Sequence, residues 1–114
     1  MNDWRELKLM MKALADVARL TIVYYLARQD EVTVTALSEL LRISQPLVSW
    51  HLRRLRRAGL IEMRRTGRQA YCSLNRQRFQ LCLQRMEHLV DPAFQAASPP
   101  IGDALLDADI GLEG

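Results

Sequence analysis

Residues 44–68 constrain the fold of this chain more than any other part, because they predict a helix with two different faces. Ser44 suits the N-cap position, since its hydroxyl can accept a hydrogen bond from a free backbone N–H of the first turn. Pro46 lies within that turn, where its missing N–H is no loss. Apolar residues at helical spacing predict a buried stripe, namely Val48, Leu52 and Leu55. Gly59 can then take the left-handed conformation that ends many helices.

Two short segments after this helix predict a β-hairpin. Residues 60–63 and 69–74 are suited to strands, and the basic, glycine-containing residues 64–68 between them are suited to a turn. A helix followed by a basic hairpin is typical of a winged helix-turn-helix. In that motif the second helix enters the major groove of DNA and the first lies across the backbone.

Positive charge is concentrated in the same part of the chain. Residues 42–68 contain eight arginines, no lysine and one acidic residue, Glu62, for a net charge of +7. A solvated helix face is the simpler explanation of such a run. However, the planar fork of arginine suits phosphates and guanine edges in a way that the ammonium of lysine does not. The preference for arginine and the adjoining basic hairpin therefore favour a nucleic-acid interface.

The remaining helices are predicted from apolar spacing and capping residues. A first helix covers residues 3–15, and a second, capped by Asp16, runs from residue 17 to about residue 28. The inner face of the second helix is expected to hold Leu20, Val23, Tyr24 and Ala27. Thr35 is expected to cap a third helix that ends at residue 41, with Leu37, Leu40 and Leu41 inward.

Two further elements complete the predicted fold. Residues 32–34 are suited to a β-bridge with the hairpin, and Asn75 is expected to cap a last helix that ends near Val90. The sequence thus predicts a mainly α fold of the α+β type. It is a winged helix-turn-helix with about five helices and a two-stranded β-hairpin wing.

Composition divides the chain into a basic body and an acidic tail. All 16 lysines and arginines lie in residues 1–90, which carry a net charge of +8, whereas residues 91–114 contain five acidic residues and no basic one. We expect a DNA-binding and dimerisation domain in residues 1–90 and a flexible acidic tail in residues 91–114. Four apolar residues of the tail are compatible with a short amphipathic turn: Ile101, Leu105, Leu106 and Ile110.

Several classes of protein are not expected. No apolar run reaches membrane-spanning length and no secretion signal is visible, so a cytoplasmic protein is expected. Cys72 and Cys82 are then expected as thiols rather than as a disulfide framework. The chain has neither a nucleophile elbow nor a Cys/His pairing at suggestive spacing, and no glycine loop for a nucleotide. Neither an enzyme nor a cofactor is therefore expected.

The two terminal helices carry more apolar residues than a small winged domain requires. An exposed apolar face marks an interface, and two-fold dimers are the commonest soluble oligomers. We therefore expect a homodimer, with ordinary core packing of the first helix as the alternative. The predicted interface residues are Trp4, Leu7, Met11, Phe79, Cys82, Leu83, Met86 and Leu89.

Several segments, in the right order, resemble the ArsR/SmtB winged-helix repressors. They are residues 12–20, KALADVARL; residues 44–52, SQPLVSWHL; residues 56–61, RRAGLI; and residues 64–71, RRTGRQAY. The resemblance covers about residues 8–90. It implies a homodimeric, DNA-binding transcriptional repressor of a kind that is often released from DNA by a metal, an oxidant or another signal.

The resemblance also bears on metal binding. Members that bind metal on the third helix carry a Cys-Val-Cys pair just before it, where this chain has Thr33-Val34-Thr35. A threonine hydroxyl is a poor ligand for soft metals. Other members hold zinc between their last helices through Asp and His, where this chain offers only the adjacent Glu87 and His88, which point in different directions. No metal site is therefore expected.

The two cysteines leave two alternatives. A thiol switch would pair Cys72 and Cys82 with each other or with a neighbouring subunit, which would give a redox-controlled repressor. Burial in the wing strand and in the apolar stripe of the last helix is the simpler role. The sequence does not identify an effector.

The helix that follows Ser44 supplies the candidate contacts to the major groove. Base-edge contacts are expected from Gln45, Ser49 and Arg53, because glutamine can pair with adenine and arginine with guanine. Phosphate contacts, which fix the register of the protein on DNA, are expected from Ser44, Arg54 and Arg57.

The wing and two ring side chains complete the candidate DNA interface. Arg64, Arg65 and Arg68 are expected at the flanking backbone or in the minor groove, with Arg68 at the tip. Trp50 is expected either to touch a thymine methyl or to pack on the protein, and His51 to be structural. The leading hypothesis is a dimeric repressor of its own or a neighbouring operon, which binds operator DNA. The alternative is a winged-helix protein-interaction module without specific DNA binding.

Overall fold

The computed structural model describes residues 3–94, which form five helices and three strands. The helices are α1 (Asp3–Leu14), α2 (Val17–Leu26), α3 (Val34–Leu41), α4 (Gln45–Arg57) and α5 (Arg76–Val90). The strands are β1 (Val32–Thr33), β2 (Ile61–Thr66) and β3 (Gln69–Leu74). This architecture confirms the predicted winged helix-turn-helix, in which α3 and α4 are the two helices of the motif and β2 and β3 form the wing.

The strands form one antiparallel sheet in the order β1–β3–β2. Val32 pairs with Cys72, so the predicted bridge is present and adds a third strand to the two-stranded wing. The wing turn is shorter than predicted, because β2 continues to Thr66, which pairs with Gln69. Residues 64–66 are therefore strand residues, and only two residues make the turn. Gly67 has a φ of 60°, which such a two-residue hairpin requires.

Capping side chains fix where the helices begin. Asp16, Ser44 and Asn75 each accept a backbone N–H of the first turn, as predicted. The predicted cap of α3 is wrong, because Thr33 rather than Thr35 accepts the N–H of Ala36, at 3.0 Å. The helix therefore begins at Val34, directly after the β-bridge.

The core fixes the orientation of α4. Its predicted stripe is confirmed, since Val48, Leu52 and Leu55 are fully buried. After the helix, Gly59 has a φ of 78° and allows the chain to turn into the wing.

The predicted inner face of α2 is partly wrong, since Val23 packs against the core but two other predicted residues do not. Leu20 and Tyr24 are each 52% exposed, whereas Arg19, Ile22 and Leu26 are buried. The helix is apolar almost all round, so the spacing of apolar residues does not determine which side packs on α1 and α4. The prediction for α3 is also partly wrong, since Leu37 is buried but Leu40 is 44% exposed.

The terminal helices pack on each other and leave an apolar surface uncovered. Leu7 and Cys82 lie inside the core of the subunit, so the structure places them there rather than at the predicted dimer interface. Trp4 and Phe79 are partly buried against that core. The predicted interface residues that remain exposed are Met11, Leu83, Met86 and Leu89.

The last helix ends where the sequence predicts it. Helix α5 ends at Val90, and Asp91 follows it as the C-cap. Beyond residue 94 the predicted acidic tail, with Ile101, Leu105, Leu106 and Ile110, lies outside the described residues. Within residues 3–94, none of the helices has both the length and the hydropathy needed to cross a membrane.

Candidate nucleic-acid interface

The exposed face of α4 follows from the burial of its opposite side. Arg53 lies about 130° around the helix from the stripe of Val48, Leu52 and Leu55, because successive residues are rotated by about 100°. Gln45, Arg53 and Arg57 are exposed and Ser49 is partly exposed on this side. The structure therefore brings three of the predicted base-contacting residues, Gln45, Ser49 and Arg53, onto one surface.

The start of α4 is held by local hydrogen bonds. The hydroxyl of Ser44 accepts the N–H of Leu47 at 3.3 Å, and this cap leaves its own proton free to donate. The amide of Gln45 donates to the hydroxyl of Thr35 at 3.4 Å, which connects the starts of α3 and α4. In the turn between these helices, Arg42 has a φ of 57° and is the one non-glycine residue with positive φ among those described.

Trp50 and Arg54 form a stacked pair beside this surface. The guanidinium carbon of Arg54 lies 4.4 Å from the centroid of the Trp50 ring. The ring also meets the His51 ring edge-to-face at a centroid distance of 5.0 Å, yet Trp50 stays 41% exposed. Trp50 thus packs on the protein with part of its ring left for a ligand.

The arginines of the wing differ in what they already bind. Arg64 makes two hydrogen bonds of 2.7 Å to the carboxylate of Glu31, a third to the hydroxyl of Thr66, and stacks on the ring of Tyr71. These bonds hold the pKa of Glu31 below its usual value and raise the pKa of Arg64. Since its donors are engaged within the protein, Arg64 is poorly placed for the predicted DNA contact.

Arg65 and Arg68 remain available on the wing. Both are exposed, and neither side chain makes a hydrogen bond or ion pair with another residue in the 3–94 range. Arg68 is in the two-residue turn, as predicted for the tip. The side chains of Arg53 and Arg57 on α4 likewise make no hydrogen bond or ion pair within the part of the chain that is described. Positive charge without an internal partner therefore occurs on both α4 and the wing.

His51 is buried beneath this surface, as predicted for a structural histidine. Its Nδ1 lies 2.9 Å from Nη1 of the buried Arg19. Burial lowers the pKa of His51, with Asp16 opposing this effect and Arg19 and Arg54 adding to it. Sequence reasoning missed Arg19, although its spacing from Ile22 and Leu26 places it on their side of α2.

Both cysteines are buried and unpaired. Burial, with a contribution from Glu31, raises the pKa of Cys72 to about 11, and burial raises the pKa of Cys82. A reactive thiol needs a lowered pKa and access to solvent, so these properties disfavour the thiol switch. Residues 3–94 contain no cluster of three His, Cys, Asp or Glu side chains that could hold a metal ion.

Comparison with known proteins identifies the family. The model of the family described as "Bacterial regulatory protein, arsR family" matches residues 16–63, which span α2 to the first half of the wing. The arsenic resistance transcriptional regulator ArsR1 of Pseudomonas putida is 35% identical over 103 residues, which are 90% of this chain and 78% of that protein. The chain belongs to the arsR family. This confirms the assignment suggested by the resemblance to the ArsR/SmtB repressors.

Solved structures agree with this assignment. HlyU from Vibrio cholerae superposes with a TM-score of 0.65 at 28% identity, covering 78% of this ArsR-family chain and 96% of HlyU. An ArsR-like transcriptional regulator from Rhodococcus reaches a TM-score of 0.70 over 78% of this chain and 83% of that one. Its identity of 24% shows the fold alone. The Pseudomonas putida relative is named as a transcriptional regulator, which confirms the prediction of a regulator rather than an enzyme.

Proposed function

We propose that this ArsR-family protein is a dimeric repressor that binds operator DNA through α4 and the wing. The observation that carries the proposal is a set of exposed arginine side chains on both elements that have no partner among residues 3–94: Arg53, Arg57, Arg65 and Arg68. A purely structural basic surface would pair such groups with nearby acids, as the protein does for Arg64. Phosphate contacts of this kind supply much of the affinity of a protein for DNA.

Sequence discrimination in this proposal comes from the exposed face of α4. Gln45, Ser49 and Arg53 face away from the core, where a helix in the major groove meets base edges. Ser44, Arg54 and Arg57 flank them and contact phosphates, while Arg65 and Arg68 reach the DNA beside the groove. Trp50, partly exposed beside Arg54, is the candidate for a thymine methyl group.

The second copy of the chain is proposed to cover the exposed apolar residues of α1 and α5. Met11, Leu83, Met86 and Leu89 lie on this surface, with Trp4 and Phe79 partly buried at its base. A two-fold dimer would present two α4 helices to the two halves of a palindromic operator.

The proposed repressor has no cysteine-based metal site. ArsR1 of Pseudomonas putida is named for arsenic resistance, and thiolates are the ligands that bind such soft ions. In this chain Cys72 and Cys82 are buried on a strand and a helix, and threonines stand before and within the start of α3. Arsenic sensing is therefore not proposed for this chain.

Fluorescence anisotropy with labelled DNA tests the proposed function. The protein is titrated against DNA from the region upstream of its own coding sequence and against random DNA of equal length, at several salt concentrations. We expect tighter binding to the upstream DNA and an affinity that falls steeply as salt rises, because several phosphates are contacted. Equal, weak binding to both DNAs with a shallow salt dependence would contradict the proposal and favour a protein-interaction module.

A further inference from the structure

A buried arginine and a buried histidine join three helices beneath the proposed DNA-binding surface. Arg19 and His51 are only 7% and 6% exposed. Nε of Arg19 donates to the carbonyl of Ala13 at 2.6 Å, and Nη1 donates to Nδ1 of His51 at 2.9 Å. Asp16, whose carboxylate caps α2, provides negative charge near the guanidinium. One side chain of α2 thus connects the end of α1 to the middle of α4.

Each of these contacts meets a requirement of its partner. Ala13 lies in the last turn of α1, where carbonyl groups lack a partner within the helix. A guanidinium group only donates hydrogen bonds, so Nδ1 of His51 must accept and its ring proton must be on Nε2. Protonation of His51 would remove this acceptor and place a second cation against Arg19. The connection therefore requires a neutral histidine.

The histidine also supports two residues of the DNA-binding surface. The ring of Trp50 meets the His51 ring edge-to-face, and the guanidinium group of Arg54 stacks on the Trp50 ring. A continuous set of contacts thus runs from the end of α1, through Arg19, His51 and Trp50, to Arg54 on the proposed DNA-binding surface.

We propose that Arg19 and His51 are positioning residues for DNA recognition, which hold α4 at a fixed angle to α1. The proposal rests on the proposed function, in which α1 belongs to the dimer interface and α4 enters the major groove. In a two-fold dimer the angle between these helices decides how far apart the two α4 helices lie. Operator half-sites must match that separation, so a change at Arg19 or His51 affects binding without removing any contact to DNA.

The requirement for neutral His51 predicts how operator affinity depends on pH. Asp16 before α2, Arg19 on α2 and Arg54 on α4 are the charged groups that act on the ring. Burial lowers the pKa of His51 from 6.5, so the neutral form predominates above that value. As the pH falls through the folded-state pKa, affinity should decrease by up to about tenfold per pH unit. This direction is diagnostic, because added positive charge ordinarily strengthens DNA binding.

Operator binding is measured by anisotropy from about pH 5 to pH 8 at fixed salt, with folding checked by circular dichroism at each pH. His51→Asn keeps an acceptor near the position of Nδ1 but does not titrate. We expect it to bind as the wild type does at neutral pH and to keep its affinity on acidification. His51→Leu lacks the acceptor. Arg19→Lys lacks the guanidinium group that donates to both Ala13 and His51. Each variant should therefore bind operator DNA about tenfold more weakly even at neutral pH.

Tryptophan emission gives a second measurement that needs no DNA. The chain has two tryptophans, so Trp4→Phe leaves Trp50, whose ring contacts His51, as the only tryptophan, which is excited at wavelengths that tyrosine does not absorb. Its emission should change as His51 is protonated, since a charged imidazole quenches indole fluorescence. The change should occur below pH 6.5 and disappear in the Trp4→Phe, His51→Asn double variant.

Three results would overturn the positioning role. These are a wild-type affinity that does not fall on acidification, an equal fall in His51→Asn, and normal operator binding by His51→Leu. In each case operator binding by the wild type at neutral pH would leave the proposed function intact. No preference for operator DNA at any pH would instead remove the proposed function and the positioning role together.

Discussion

The arginines of this protein show that the role of a single residue depends on its partners in the fold. Arg64 and Arg65 are adjacent and both exposed in β2, but only Arg64 meets the carboxylate of Glu31. Their sequence context gives the same prediction for both, because Glu31 is distant along the chain and reaches Arg64 only through the sheet. The candidate surface could therefore be predicted as a group of arginines, but not the member that is engaged internally.

Arg53 should contribute to sequence discrimination as well as affinity. We expect Arg53→Ala to reduce binding to the cognate operator by about 1–3 kcal/mol, the value of a good arginine–guanine pair. Binding to random DNA should fall less. Arg76→Ala is the control, because it also removes one positive charge. Arg76 follows the end of the wing that lies opposite the turn, and it donates to the carbonyl of Ala27. An equal loss on both DNAs would identify Arg53 as a phosphate contact.

Arg42 occupies a backbone conformation that glycine adopts at lower cost. Its φ of 57° places it in the left-handed region at the turn between α3 and α4. Arg42→Gly should relieve this strain and raise the free energy of unfolding by up to about 1 kcal/mol, less the cost of a more flexible unfolded chain. Urea denaturation measures the change, with Arg42→Ala as a control that should not stabilise. A destabilised Arg42→Gly variant would contradict the argument.

Among the elements, α4 could be predicted well and α2 poorly, for a physical reason. A helix with charged residues on one side has only one way to meet an apolar core, so Val48, Leu52 and Leu55 indicate its orientation. Almost every residue of α2 is apolar, and its orientation depends on the bonds of Arg19 to two other helices. Contacts between distant residues of this kind are not visible in local spacing.

The packing of α1 on α5 should depend on a charged cluster around Glu6. Its carboxylate accepts hydrogen bonds from Arg85 and Arg78 on α5 and is mostly buried. We expect Glu6→Gln to lower the free energy of unfolding by about 1–2 kcal/mol, because two arginines lose a charged partner. Chemical denaturation measures the loss. Glu39→Gln changes an exposed glutamate on α3 and is the matched control.

The same cluster predicts a pH dependence of stability. The hydrogen bond from Arg85 and the charge of Arg78 hold the pKa of Glu6 below 4.5 despite partial burial. A lowered folded-state pKa stabilises the protein fully above the unfolded value, and this stabilisation is lost as the pH falls through the folded-state pKa. The difference in stability between the wild type and Glu6→Gln should therefore shrink below about pH 4.5. A difference that is constant with pH would exclude the ionised carboxylate as its source.

At the scale of the whole molecule, the arginines proposed to bind DNA and the apolar surface proposed to form the dimer lie on different elements. Arginines without a side-chain partner in the described part of the chain occupy α4 and the wing, and the exposed apolar side chains of the proposed interface occupy α1 and α5. This division follows from the sequence, where arginine is concentrated in residues 42–68 and the terminal helices carry the excess of apolar residues. The surface proposed for DNA binding is thus distinct from the surface proposed for dimerisation. A substitution can therefore disturb the dimer without removing a contact to DNA.

Loss of the dimer should therefore weaken operator binding although every proposed DNA contact remains. Leu83 is 49% exposed on α5, so Leu83→Glu should leave the subunit folded while it places a carboxylate in the apolar interface. Sedimentation velocity should then show a monomer where the wild type is a dimer. Operator affinity should fall by roughly 100-fold, because the two half-sites are no longer held by one particle.

A control at an exposed apolar residue outside the proposed interface separates loss of the dimer from a general effect of added negative charge. Val17 is 80% exposed at the start of α2 and is not among the residues of the proposed interface, so Val17→Glu should stay dimeric and keep its operator affinity. A monomeric Leu83→Glu variant that binds the operator as tightly as the wild type would show that one subunit suffices. A variant that stays dimeric would place the interface elsewhere, since a buried, unpaired carboxylate at each copy of position 83 would oppose association.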